Sequence, residues 1–387
     1  MSQLLIRNCT LLGPEGPETG RFVLCKDDKI AEIDGGRPSE TGGEILDAQG
    51  GLLTPGFVDL HCHSGDGRHV GEGNTDAVRH VARAHVSHGL TGFLAAIEGD
   101  DLDALALRLE SIRQCNLDGP TDGARCLGTL IEGPYLSPGA PGAMIAETYR
   151  KPDLNEVDQI LEAIRPAKLA MTVAPEIEGA IEVIERLVEG GAVAALGHTL
   201  AGPEDVERGA DAGMSHVTHL FNAMGKFHHR EVGAIGAALV EDRLSAEIIA
   251  DGHHVNPRTL EIAYRCKGPD RLCLITDHNA MGKVGERLID SRGREVIFGE
   301  EAAWTPDGKL VGSRLTMDLA VRNILRFLSI PLDEALGMAS TVPARVLGLD
   351  DQLGAIEPGY LADLVLLDKD LNVAATIVGG QVLYRNN

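Results

Sequence analysis

At 387 residues the chain exceeds an average domain, and its 43% apolar residues, 3% aromatics and 47 glycines fit a large globular core threaded by many tight turns. A formal net charge of −23 argues against nucleic acid or an anionic membrane surface as a partner, since both need a basic face. Seven cysteines, an odd count with no CxxC spacing, exclude a disulfide framework or a thiolate metal cluster and fit a reducing cytoplasm. No basic segment precedes a long apolar run at the start, and no uncharged apolar stretch reaches about 18 residues, so neither export nor a membrane span is expected.

In chain order, residues 4–12, 22–25, 29–33 and 45–47 read as short strands separated by Gly, Pro, Asp and Glu clusters. Apolar runs then alternate with amphipathic stretches. Strands are predicted over 56–60, 91–97, 125–131, 169–174, 192–196, 216–220, 245–249 and 271–276, and helices over 75–87, 102–113, 154–164, 180–189, 203–212, 257–264 and 317–328. Strand patterns return at 363–367, 374–378 and 382–384, with a Gly379-Gly380 turn between the last two. Eight strand–helix units in series predict an α/β fold, a TIM-type (β/α)8 barrel over 55–347, with a small β-sandwich built from both chain ends, 1–54 plus 348–387.

Residues 53–66, LTPGFVDLHCHSGD, carry the first chemical signal. A strand broken off by Pro55 and Gly56 runs into His61, Cys62 and His63, and strand alternation puts His61 and His63 on one face and Cys62 on the other. Two imidazoles at the carboxyl end of a barrel strand form a metal pincer, although the pair alone reads equally well as two hydrogen-bonded histidines. Other strand ends add Glu132, His198, His219 and Asp277. Four histidines and two carboxylates converging on one barrel mouth suit one or two divalent ions bridged by a carboxylate: zinc first, with iron, manganese or cobalt as alternatives.

The segments TPGFVDLHCH, IEGPYLSPGAPGA, TVAPE, GHT, THLFNAM, IADGHHV, ITD and GSRLTM, in this order, resemble the N-acetylglucosamine-6-phosphate deacetylase family of the amidohydrolase superfamily over nearly the whole chain. The resemblance implies that Glu132, His198 and His219 hold a metal shared by family members, and that His61 and His63 add a second metal position. Asp277 is then the acid/base group, taking the proton of the attacking water and returning it to the leaving amine. The resemblance further implies that Asn222, Ala223, Arg230 and His254 bind the sugar phosphate, with the histidine at position 254 supplied by a neighbouring subunit and hence a homodimer. The expected reaction is hydrolysis of an N-acyl amide, the deacetylation of N-acetylglucosamine 6-phosphate or an epimer. No cofactor beyond the metal is expected.

Two departures bear on the substrate. Met144 stands where the family carries a sugar-contacting histidine, and His278 and Asn279 follow Asp277 where the family has small residues. Two alternatives stay open: an amidohydrolase of an N-acyl amino acid, cyclic amide or aminated base, and a non-enzymatic assembly protein on the same fold. Asp66 and Asp251 are candidate partners for histidines; His216, His228, His229 and His253 read as packed or solvated.

Overall fold

The computed structural model describes residues 2–13, 15–36, 38–39, 43–99, 102–289, 295–300 and 302–386. Eight parallel strands follow one another in chain order: Phe57–Cys62, Leu90–Glu98, Arg125–Glu132, Lys168–Val173, Val193–Leu196, His216–Val217, Ser245–Ile249 and Leu272–Ile275. They are buried almost throughout, as parallel strands covered on both faces must be. Helices cross over between them, several started by side chains that satisfy the free backbone N–H groups of a first turn. Asn74 accepts from Ala77 N ahead of Thr75–Ala84, Asp153 caps Leu154–Ile164, and Asn256 with Pro257 opens Pro257–Lys267.

The first and eighth strands meet without a regular ladder. Asp59, fully buried, accepts from the backbone N of His61 at 3.0 Å, from Thr276 N at 3.2 Å and from the Thr276 hydroxyl, while Asp277 N donates to His61 O at 2.9 Å. A side chain thus closes the barrel beside the HxH pair. Burial, only partly offset by these donors, pushes the Asp59 carboxyl up to about 6.

Several features depart from the expected elements, among them helices at Leu332–Ala339 and Thr341–Val346 where none was predicted. The sixth strand is His216–Val217, shorter than 216–220, because the chain leaves extended geometry at His219, where φ is 29°. A helix at Gly233–Val240 (GAIGAALV) was missed because Ala234 to Leu239 are all buried, so no polar face marks a helical period. An antiparallel sheet of Arg287–Ile289, Glu295–Phe298, Ala302–Trp304 and Leu310–Ser313 lies between the eighth strand and Met317–Leu328, around a small core of Ala280, Val296, Phe298 and Ala303.

The chain ends pair with each other. Gln3–Gly13 bends where Asn8 adopts a φ of 54°, pairing with Gly16–Lys26 on both sides of the bend, with Glu44–Asp47 before it and with Leu52–Pro55 after it. Leu52–Pro55 pairs antiparallel with Leu364–Leu367, which continues to Val373–Val378 and Gln381–Arg385. A second core, including Leu4, Ile6, Val23, Leu46, Leu364 and Ile377, fills this unit.

Arg125 fastens it to the barrel through a two-pronged pair with the buried Asp363, at 3.1 and 3.3 Å. Removing one partner of a buried pair strands the other, so Asp363→Ala is expected to cost about 3 kcal/mol in urea unfolding. Asp318, in the first turn of Met317–Leu328, accepts from Thr316 and Arg322 and lies 3.2 Å from His88 Nδ1. Burial raises its carboxyl, but these donors outweigh it and bring the group down to about 2 from an ordinary 3.8. A carboxyl depressed on folding contributes stability in full above its unfolded value and loses it as pH falls through the folded one. The urea midpoint should therefore drop between about pH 4 and pH 2, and Asp318→Asn should flatten that drop.

Candidate active site

The strand ends bring six ionisable side chains together. Glu132 sits between two imidazole pairs: its Oε1 lies 3.3 Å from His198 Nε2 and 3.0 Å from His219 Nε2, and its Oε2 3.7 Å from His61 Nε2 and 3.5 Å from His63 Nε2. Within each pair the Nε2 atoms approach to 3.1 Å. Asp277 Oδ1 is 3.4 Å from His63 Nε2 and 3.9 Å from His61 Nε2. Its side chain keeps 15% of its surface open, against 0 to 7% for the others around Glu132, so it is the group best placed to meet a substrate.

Three of these residues leave the strands in the left-handed region: φ is 47° at His198, 29° at His219 and 46° at Asp277. Non-glycine residues pay for that conformation, which persists where the surrounding fold over-determines it, and such outliers cluster at functional sites. Gly142, at φ 57°, packs against this floor; a Cβ there would stand 3.1 Å from Ala223 Cβ and 3.3 Å from His198 Cε1.

Glu247, in the seventh strand, escaped the sequence reading. Buried beneath the mouth, it accepts from His61 Nδ1 at 3.0 Å, His219 N at 2.9 Å and His216 Nε2 at 3.3 Å. Glu247 favours, in the neutral His61 ring, the tautomer with its proton on Nδ1, which turns the Nε2 lone pair toward the mouth. His198 is set the same way by the Ala140 carbonyl, 3.1 Å from its Nδ1. Burial would raise the Glu132 and Glu247 carboxyls, yet the imidazoles around them hold both well below the usual range; His61, which burial would lower, is raised by Glu132, Glu247 and Asp277. Burial lowers His198.

A cavity of about 350 Å³ opens over this floor, lined by His63, Glu132, His198, His219, Asp277, Asn222, Ala223, His254, Met144 and Asn279 among others. His254 lines the cavity of its own chain, with Asp251 Oδ2 2.5 Å from its Nδ1, so the geometry needs no copy of it from a neighbour. Arg230 is not brought in: it is exposed on a loop, 3.0 Å from His229 Nε2. His278 also differs from expectation. Its Nδ1 lies 3.0 Å from Leu315 O and its ring stands edge-on to His85, off the cavity wall, which Asn279 forms instead. Asp66 lends only its backbone carbonyl, to His80. His216, buried on Glu247, lies below the site.

The donor set fits divalent metal. His61, His63 and Glu132 form one group of converging ligand atoms, and Glu132, His198 and His219 a second. The ion pairs of Glu132, Glu247 and Asp277 among the described residues are all with imidazoles. His63 Nδ1 and His219 Nδ1 have no hydrogen-bond partner among the described residues, and two neutral rings cannot satisfy Nε2 atoms facing each other at 3.1 Å with one proton between them as well as a cation would.

Comparison with known proteins agrees with this geometry. A profile of the Amidohydrolase family matches residues 52–383. The chain is 35% identical over 379 residues to the N-acetylgalactosamine-6-phosphate deacetylase of Escherichia coli O157:H7, covering 98% of each chain. It is 33% identical over 387 residues to the N-acetylglucosamine-6-phosphate deacetylase of Lysinibacillus sphaericus, covering 99% of this chain and 98% of that one. Among solved structures, a mutant N-acetyl-D-glucosamine-6-phosphate deacetylase of Mycobacterium smegmatis in complex with N-acetyl-D-glucosamine-6-phosphate superposes with a TM-score of 0.89 at 30% identity, over 99% of this chain and 100% of that one. The enzyme from Pasteurella multocida gives a TM-score of 0.91 at 27% identity, with the same coverage. The match of sequence and fold from end to end shows that the chain belongs to the amidohydrolases and, within them, to the N-acetylglucosamine-6-phosphate deacetylase family.

Proposed function

We propose that this chain is a metal-dependent deacetylase that hydrolyses the amide of N-acetylglucosamine 6-phosphate, or of its galactosamine epimer, to the amino sugar phosphate and acetate. The observation that carries the reading is Glu132 set between two imidazole pairs, with the more open Asp277 on the same mouth. His61 and His63 with Glu132, and Glu132 with His198 and His219, would hold one or two divalent ions, zinc before iron, manganese or cobalt. When bound, such an ion makes water acidic near neutral pH and stabilises the oxyanion that develops on the amide carbonyl.

The protein's own groups do the rest. His61 and His63 outweigh the effect of burial and hold the Asp277 carboxyl below its ordinary value, the direction a group that takes the proton of the attacking water needs. The same carboxyl then protonates the amine, without which that group leaves poorly. Asn222, Ala223 and His254, on the cavity wall, would hold the sugar phosphate, with Arg230 joining from its exposed loop. That loop also exposes Phe227, which with exposed Leu200 supports a homodimer covering this edge. The sandwich unit of 1–54 plus 348–387 and the barrel of 55–347 serve as separate domains in this reading, within a cytoplasmic enzyme. No helix among the described residues is long and apolar enough to cross a membrane.

The test is amine release from both epimers, phosphorylated and not, by protein of measured metal content; bound metal with no turnover of either phosphorylated sugar would refute the substrate. Asp277→Asn should lower kcat by about 10²–10⁴-fold with KM little changed. Glu247→Gln, which cannot accept from all its present donors, should weaken metal binding by about 10–100-fold in competition with a chelator. A chelator should abolish activity and added metal restore it.

A further inference from the structure

A second cavity, of about 510 Å³, adjoins the first, and the two share Glu98, Glu132, Met144, Asn279 and Val311 as a common wall. Small-molecule sites run from about 300 to 1,000 Å³, so this is space on the scale of a ligand. Apart from the shared wall, its lining includes Ile97 from the end of the second barrel strand, Ile145, and Met281 and Phe298 beside the small antiparallel sheet. Phe298 belongs to the core of that sheet; Met281 and Val311 only pack against it and keep surface open. Charged side chains reach the cavity too, but they are engaged: Arg108 donates to the Gly71 carbonyl at 2.9 Å, and Glu72 pairs with Arg68 at 2.7 Å.

An amide has two arms. With its carbonyl carbon beside Glu132 and Asp277, the sugar on the nitrogen points toward Asn222, Ala223 and His254, which line the first cavity and not the second. The acyl arm leaves on the other side of the carbonyl, and across the shared wall from Glu132 the space that opens is the second cavity. An acetyl group would end at that wall with one methyl, leaving the apolar lining beyond it without a partner.

Building on the deacetylase reading, we infer that the second cavity is an acyl-chain subsite, and that the enzyme hydrolyses hexosamine 6-phosphates bearing straight N-acyl chains of about four to eight carbons as well as acetyl. Water adds across the C–N bond in each case, giving the fatty carboxylate and the free amine, with no further reactant. Because the chain is buried equally before and during reaction, the gain falls on KM rather than kcat.

The experiment is the steady-state kinetics of the metal-loaded enzyme on N-acetyl, N-butyryl, N-hexanoyl and N-octanoyl forms of whichever hexosamine 6-phosphate it turns over best. The expected result is turnover of all four, with KM falling about threefold for each methylene first added and kcat within a few-fold of the acetyl value. Ile145→Trp and Met281→Trp, each filling the second cavity from a different segment, should raise KM for the hexanoyl substrate at least tenfold while leaving the acetyl substrate within about twofold. Acetyl turnover with hexanoyl kcat/KM more than a hundredfold lower in the unaltered enzyme would overturn the subsite, as would tryptophan variants that slow both substrates alike. Absence of turnover for every phosphorylated amide, acetyl included, would overturn the deacetylase reading and the subsite with it, and the acetyl control tells the two failures apart.

Discussion

A carboxylate removed from water must be surrounded by donors or cations, and at the mouth of this barrel that requirement falls first on Glu132. Its two oxygens divide four imidazoles between them, one pair from the first strand and the other from the fifth and sixth. The arrangement works only if the rings offer lone pairs upward, and the layer below ensures it. Glu247 and the Ala140 carbonyl hold protons on the Nδ1 atoms of His61 and His198. A negative charge deeper in the barrel therefore determines which way the histidines face at its surface.

The scaffold supplies the rigidity this needs. Left-handed backbone at His198, His219 and Asp277 costs on the order of 1–3 kcal/mol each, and the adjoining strands, buried on both faces, absorb it. Asp59 has a comparable part at the seam, where the first and eighth strands are joined by its carboxylate rather than by a ladder. The seam lies beside His61 and Asp277, so barrel closure and the spacing between ligand and acid/base group depend on the same bonds.

Much of this was legible in the sequence because it rests on local periods. The HxH pair follows from a period of two, and the strand and helix alternation over 55–347 gave the order of elements and the strand ends carrying Glu132, His198, His219 and Asp277. What could not be read depends on contacts between distant segments. Glu247 looks like an ordinary member of SAEII, and only the barrel's inward face reveals its three histidine partners. His278, expected to alter the pocket wall, turns off it because the chain is redirected at Asp277, whose φ is 46°. Gly233–Val240 lacked a polar face, and the small sheet over 287–313 comes from strands too short to mark themselves. Of the residues that the family resemblance assigns to the sugar phosphate, Asn222, Ala223 and His254 line the cavity and Arg230 lies on an exposed loop, a placement that no local pattern in the sequence encodes.

The pairing of Leu52–Pro55 with Leu364–Leu367 also bears on how the molecule is made. During synthesis the strands that precede the barrel, up to Leu52–Pro55, emerge well before their remaining partners, and the edge of Leu52–Pro55 stays open while the whole barrel is translated. Contacts of such long sequence separation form late and slowly. A nascent chain therefore carries an unpaired strand edge directly ahead of the HxH segment for most of its time on the ribosome, and association of incomplete chains through that edge is the hazard this architecture has to survive.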